Sequence, residues 1–263
     1  MDWWGFFRER RRKRILQRHA LPEDGWCAAV SALPLLRGLS GDELRHLREL
    51  ATLFLHEKEV VAGGGHPLSD DMRLKIVAQA CLPILNLGLD YYAGWVAVIV
   101  YPDEFVPEYE FMDEDGVVHL ARDPMIGESW ERGPVILSGA DAERSGEHDG
   151  VNVVIHEFAH KLDMLNGVPD GFPPLHREMD RVAWTRAFSG AFDDFSAKVE
   201  SGAETEIDPY AAESPAEFFA VMSEAFFEIP HTLRRGYPEV YRQLAGFYRQ
   251  DPAGRMGRGT GCA

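Results

Sequence analysis

Two histidines four residues apart enclose a glutamate in the run HEFAH, residues 156–160. On a helix this spacing puts both imidazoles on one face, about 5–6 Å apart at Cβ. Two neutral rings so placed can share one tetrahedral Zn²⁺ at about 2.0–2.1 Å. Glu157 lies about 100° round the helix from His156, in position to take a proton from a zinc-activated water and pass it to a leaving amine. A metal-free account has to be weighed against this. Val153, Val154, Phe158 and Leu162 make the segment apolar, and a buried His-Glu-His trio without a metal needs hydrogen-bond partners for three polar side chains. A zinc ion meets that demand more simply.

The third ligand decides the class. One extended zinc motif requires glycine at position 163 and histidine at 166; the chain has Asp163 and Asn166, so that arrangement is excluded. Asp163 is on the histidine face, but seven residues from His156 it is about 10.5 Å further along the axis. A supporting role, orienting His160, suits it better than direct ligation. His176, in the Pro-rich loop that follows, has nothing around it to recommend it as a ligand. The better candidates are downstream in DPYAAESPAEFFAVMSEAFFEIP, residues 208–230. Ser214 and Pro215 open a helix there, as cap and first helical residue. Glu217 then falls at the third position, where it either closes a capping box on its own helix or turns to a metal. Glu217, Val221, Glu224 and Glu228 form one stripe beside Phe218, Met222, Ala225 and Ile229. Spacing favours Glu217 as ligand, with Glu213 and Glu224 as alternatives, and gives Glu224 a supporting role two turns on.

The elements that carry these residues are readable from pattern. The segment from Asn152 to Leu165 has no Gly or Pro and lies between Gly150 and Gly167, which predicts a helix. Upstream, LSGDELRHLRELATLFLHEK (39–58) has Ser40 and Glu43 as a capping box and Leu44, Leu47, Ala51 and Phe54 as an apolar stripe. LSDDMRLKIVAQACLPILNLG (68–88) repeats the style, with Ser69 as cap and Pro83 as kink or stop. Between them AGGGHP reads as a loop with His66 exposed. Trp95–Pro102 and Gly133–Gly139 read as strands, the second as an edge along which a peptide adds as a further strand. EYEFMDEDGVVHLAR (108–122) reads as a hairpin turning at Asp115-Gly116. The fold class is therefore α+β: a helical N-terminal region over 1–90, a small mixed or antiparallel sheet and a mostly helical part over 91–250, and a flexible tail over 251–263.

Composition narrows the function classes. Against 27 Lys and Arg stand 43 Asp and Glu, a net −16, which excludes a broad basic face for nucleic acid. Cys27, Cys81 and Cys262 have no CxxC spacing, as expected of a reducing, cytoplasmic setting. No charge-free run is long enough to span a bilayer. The start, MDWWGFFRERRRKRIL, reverses the order of a signal peptide. It reads as a helix docking its aromatics on the body, with weak peripheral contact to an anionic membrane as the alternative.

VIHEFAHKLD (154–163) together with DPYAAESPAEFFAVMSEAFF (208–227) resembles the Mlc titration factor A family of bacterial zinc peptidases. The likeness extends through RDPMIGESWERGPVILS (122–138) and over most of the chain, and is weakest in the first thirty residues and the tail. That family's catalytic domain is similar to the protease domain of anthrax lethal factor, a gluzincin with two histidines and a downstream glutamate on zinc. The resemblance implies a zincin-like catalytic domain with His156, His160 and Glu217 as zinc ligands and Glu157 as general base. It further implies that Tyr210 lies over the metal, where its phenol donates to a tetrahedral oxyanion. The lethal factor pattern has an acidic residue four after the ligand, where this chain has Val221, and Glu224 stands as the substitute. Family members are described as aminopeptidase-like and as binding the repressor Mlc, which relieves repression of sugar-uptake genes. Two functions are thus expected: a peptidase acting on peptides, or a regulatory protein that sequesters a transcriptional repressor.

Overall fold

Serine caps set where the third and fourth helices begin. The computed structural model describes residues 3–65, 67–102, 109–112, 118–121 and 133–255. Helices α1 (Trp3–Arg18) and α2 (Glu23–Ser31) lead into α3 (Gly41–Glu57). Ser40 Oγ accepts from Glu43 N while Glu43 Oε2 accepts from Ser40 N at 2.7 Å, the reciprocal box that the sequence predicts. Leu44, Leu47, Ala51 and Phe54 face inward as expected. Strand β1 (Glu59–Ala62) follows, then α4 (Asp70–Cys81), capped by Ser69 Oγ accepting from Met72 N at 3.1 Å.

The remaining elements are β2 (Ala97–Tyr101), β3 (Tyr109–Met112), β4 (Val118–Ala121), β5 (Val135–Ser138), α5 (Gly139–Arg144), α6 (Val153–Asp163), α7 (Arg181–Glu200), α8 (Pro215–Glu228), α9 (Pro230–Gly236), α10 (Pro238–Tyr248) and α11 (Pro252–Arg255). The main sheet differs from the expected mixed or antiparallel one. It has three strands in the order β1-β2-β5, all parallel. Long connections, including α4, separate its strands, and only such crossovers allow parallel pairing. Antiparallel pairing is confined to β3 and β4, with Tyr109 opposite Ala121 and Met112 opposite Val118. The expected turn at Asp115-Gly116 falls outside the described residues, as do His66 and Cys262. β1 was hidden in the sequence because four residues with one buried side chain, Val60, carry no readable alternation. Among the described residues β5 is an edge of the main sheet.

The expected docking of the N-terminal aromatics falls largely on side chains outside the described residues, those of residues 1–6; the described part of α1 is held by other contacts. Phe7 is 59% exposed, whereas Ile15 is buried, and Arg8 and Arg12 pair with Asp90 at 3.0 and 2.6 Å. Among the described residues no helix is long and apolar enough to cross a membrane.

Buried apolar side chains from Ile15 to Ala253 join in one cluster. Helix α8 runs through it, with Ala216 and every residue from Phe218 to Glu228 buried. One side of α6 is seated by aromatics: Phe158 lies 5.9 Å from Phe54, 5.0 Å from Tyr92 and 5.7 Å from Trp95, centroid to centroid. A fully buried aromatic with three ring neighbours leaves a cavity that rigid neighbours do not fill. Phe158→Ala is expected to lower unfolding free energy by about 3–5 kcal/mol, measured by urea denaturation, and Phe158→Leu by clearly less.

Candidate metal centre

Helix α6 starts at Asn152, whose Oδ1 accepts from Ile155 N at 2.9 Å. This cap fixes the helical phase that turns His156 and His160 to the same side. Their rings meet edge-on with centroids 4.8 Å apart, and the two Nε2 atoms are 3.2 Å apart. Glu217 Oε2 closes the triangle, 3.0 Å from His156 Nε2 and 3.4 Å from His160 Nε2. Ligands of a tetrahedral zinc ion at 2.0–2.1 Å would sit about 3.3 Å from one another, so the three atoms have the mutual spacing of a ligand set. Glu217 Oε2 is buried yet forms no well-aligned hydrogen bond. Three potential donor atoms to a metal thus converge on one point, a spacing that suits a shared ion.

The sequence left open whether Glu217 caps its own helix. Ser214 Oγ accepts from Glu217 N at 3.2 Å, but Glu217's carboxylate turns to the imidazoles. The identical S-x-x-E spacing at Ser40 and Glu43 closes on itself. Only the neighbouring helix distinguishes the two. Glu213, the alternative ligand, is exposed and outside the group. Glu224 stands behind His156 instead of joining the ligand set: Nδ1–H donates to Glu224 Oε1 at 2.8 Å. That bond selects the tautomer whose Nε2 lone pair faces the centre.

Charge balance reinforces the geometry. Burial opposes ionisation of Glu217, yet His156 and His160 outweigh it and hold its carboxyl down to about 2. Burial likewise opposes a charge on His156, but Glu217 and Glu224 raise its pKa well above the usual value. Both directions follow from packing carboxylates against imidazoles, and a metal ion binding at these atoms has to displace any proton that His156 holds there.

Glu157 and Tyr210 line one cleft with His156 and Glu224, a space of about 470 Å³ also lined by Asp141, Arg144, Asp149 and Val151. Asp208 Oδ1 accepts from Tyr210 N at 2.9 Å, holding the short turn that presents the tyrosine. The ring of Tyr210 is 6.0 Å from that of His156 and is half exposed. Burial, then the charges of Glu217 and Glu157, raises its pKa, so the phenol keeps the proton it needs to act as a donor. Lys161, further along α6, is buried, and burial pushes its ammonium down to about 8 against the pull of Glu157.

One expectation needs correction. Asp163 does not hydrogen-bond His160. Its Oδ2 accepts from Gly171 N at 2.7 Å, and His160 Nδ1 is buried without a hydrogen-bond partner among the described residues. The reason lies in the loop: Gly171 has φ +76° and a Cβ there would be 2.4 Å from Pro215 O. Asp163 therefore clamps the loop against the first turn of α8, where Glu217 sits. His176 lies outside the ligand group, in line with the sequence reading: Nε2 donates to Phe247 O at 2.7 Å and the ring stacks on Phe247.

Sequence reasoning missed the latch behind the site. Asn152 Nδ2 donates to Gln79 Oε1 at 2.7 Å and to Glu228 Oε1 at 2.6 Å, while Asn152 N donates to Glu224 Oε2. His148, at φ 62°, donates from its backbone N to Glu228 Oε2 at 2.7 Å and from Nδ1 to Glu228 O at 2.6 Å. The available signal was Asn152 as a cap and a glutamine, Gln79, in the buried run from Ile76 to Cys81.

A His-Glu-x-x-His helix with a converging glutamate is a candidate metal site of the kind metallopeptidases use. Residues 7–249 match the profile of the glucose-regulated metallo-peptidase M90 family, and the chain belongs to that family. It is 38% identical to Mlc titration factor A of Cronobacter sakazakii over 233 residues, 88% of each chain. It is 37% identical to that of Pectobacterium atrosepticum over the same span and 38% to that of Salmonella typhi over 227 residues, 86% of each chain.

Two variants probe the supports without touching a ligand. Glu224→Ala is expected to weaken metal affinity about 10–100-fold, read by competition with a chromophoric chelator. Gly171→Ala, strained at its φ and against Pro215 O, is expected to destabilise the protein by about 1–3 kcal/mol and to weaken metal binding in the same titration.

Proposed function

We propose that this protein is a cytosolic zinc metallopeptidase of aminopeptidase-like activity. The convergence of His156 Nε2, His160 Nε2 and Glu217 Oε2 carries the reading. Two imidazoles and one carboxylate are a zinc-type donor set that leaves a fourth position open. A zinc ion held by these three residues supplies Lewis-acid polarisation of a carbonyl and acidifies water.

The chain's own residues supply the rest. Glu157, in the cleft beside His156, accepts the proton of the attacking water and returns it to the departing amine. Tyr210, with its phenol protonated, donates to the oxygen that gains charge as the carbonyl carbon becomes tetrahedral. Glu224 holds His156 in the tautomer that presents Nε2. A peptide enters along the edge strand β5, bound by main-chain hydrogen bonds.

Purified protein is expected to contain about one zinc per chain and to cleave short peptides or aminoacyl arylamides. Glu157→Gln is expected to keep the metal and lose at least about 100-fold in kcat; full activity in that variant would falsify the mechanism. Tyr210→Phe is expected to lose about 10²–10³ in kcat with KM little changed.

A second reading rests on the relatives. Proteins named Mlc titration factor A align over nearly the whole chain, which supports a regulatory role in sugar uptake through binding a transcriptional repressor of the Mlc type. Glu157 has no part in mere sequestration, so its presence favours the peptidase. A pull-down with such a repressor separates the two: retention by His156→Ala with unchanged affinity assigns binding to a surface independent of the metal.

A further inference from the structure

The helix that carries the metal ligands also carries a buried lysine that reaches the sheet edge. Lys161 is 7% exposed, and its Nζ donates to the carbonyl of Gly133 at 2.9 Å. Gly133 lies two residues before β5 (Val135–Ser138). The ammonium also sits 5.7 Å from the ring centroid of Trp95, which a second buried lysine, Lys58, approaches from 4.3 Å. Lys58 has a separate task, donating to Tyr92 O at 2.6 Å and to Trp95 O. Burying a lysine is costly, and an apolar side chain of similar length would fill the space with less penalty. What an apolar residue cannot do is hold the Gly133 carbonyl.

We propose that Lys161 is a positioning residue for extended substrates, tying the start of the edge strand β5 to the helix that bears His156, Glu157 and His160. The inference rests on the peptidase reading and on substrate pairing with β5. A peptide bound to that edge is placed relative to the metal ligands only as well as the strand is placed relative to α6. Parallel pairing with β2 fixes β5 on one side, Val98 opposite Val135 through Tyr101 opposite Ser138. The Lys161 bond fixes the height of the strand's entry over α6. A substrate with one residue, such as an aminoacyl arylamide, makes little use of the edge. A peptide of six to eight residues depends on it throughout.

The test compares the zinc-loaded wild-type, Lys161→Met and Lys58→Met proteins on an alanyl arylamide and on a fluorogenic octapeptide. For Lys161→Met the expected result is a KM about tenfold higher on the octapeptide, with kcat and the arylamide constants within about twofold of wild type. Lys58→Met is expected to lower the melting temperature while leaving the ratio of the two KM values unchanged. Equal losses on both substrates, or the same ratio change in both lysine variants, overturns the proposal in favour of general destabilisation. An unchanged octapeptide KM in a folded Lys161→Met protein also overturns it. Absence of activity in the zinc-loaded wild-type protein counts against the peptidase reading itself. Should Lys161→Met fail to fold, Lys161→Arg serves: a longer, forked donor in the same slot is expected to shift the octapeptide KM alone.

Discussion

The centre depends on one buried contact between helices, the pairing of Glu224 and Glu228 on α8 with Asn152 at the head of α6. Both carboxylates are almost fully buried, and burial raises both pKa values. Carboxylates so placed are tolerated only where donors surround them. Here the donors are the backbone and side-chain amides of Asn152, the backbone of His148 and the imidazole of His156. Because these donors cluster at one end of α6, α8 has a single register in which its carboxylates are satisfied. In that register Glu217, nearly two turns before Glu224, comes to rest against the two imidazoles. A slip of one residue would turn the glutamates through about 100° and strand them in apolar surroundings.

A second clamp works from the other end of α6. Asp163 holds Gly171, whose backbone lies against Pro215 at the first turn of α8. The two helices are therefore fixed at both ends of the ligand set, by polar contacts that tolerate little rearrangement. Phe158 and its aromatic neighbours supply the bulk of the apolar contact on another side of α6. Apolar packing brings the helices together, and the polar clamps select their alignment. The consequence is chemical: the clamps hold His156 Nε2, His160 Nε2 and Glu217 Oε2 at the mutual spacing of a ligand set.

The polar centre and the sheet meet through α6. That helix carries His156, Glu157 and His160, and further along Lys161 reaches Gly133 at the start of β5. The three-stranded parallel sheet is small, but it leaves β5 as an edge among the described residues. Helix α6 and the sheet edge are thus joined by packing and by a directed hydrogen bond. In the same frame Tyr210, on a short turn secured by Asp208, stands over the ring of His156.

Much of this was determined by the sequence alone, wherever the cause is local. The i,i+4 histidines, the Ser caps at 40, 69 and 214, the Pro at the head of α8 and the strands over 97–101 and 135–138 follow from spacing and propensity, which act within one element. The motifs around His156 and Glu217 carried the family as well. What lay beyond reach depends on which element becomes whose neighbour. Ser40-x-x-Glu43 and Ser214-x-x-Glu217 are alike in sequence, yet one glutamate caps its own helix and the other faces two imidazoles. Asp163 looked like a support for His160 and instead holds Gly171. Val60 and its neighbours became a strand because β2 was there to pair with. A side chain's local neighbours are fixed by helical or strand period, but its long-range partner is fixed by packing, and only the tertiary structure decided that.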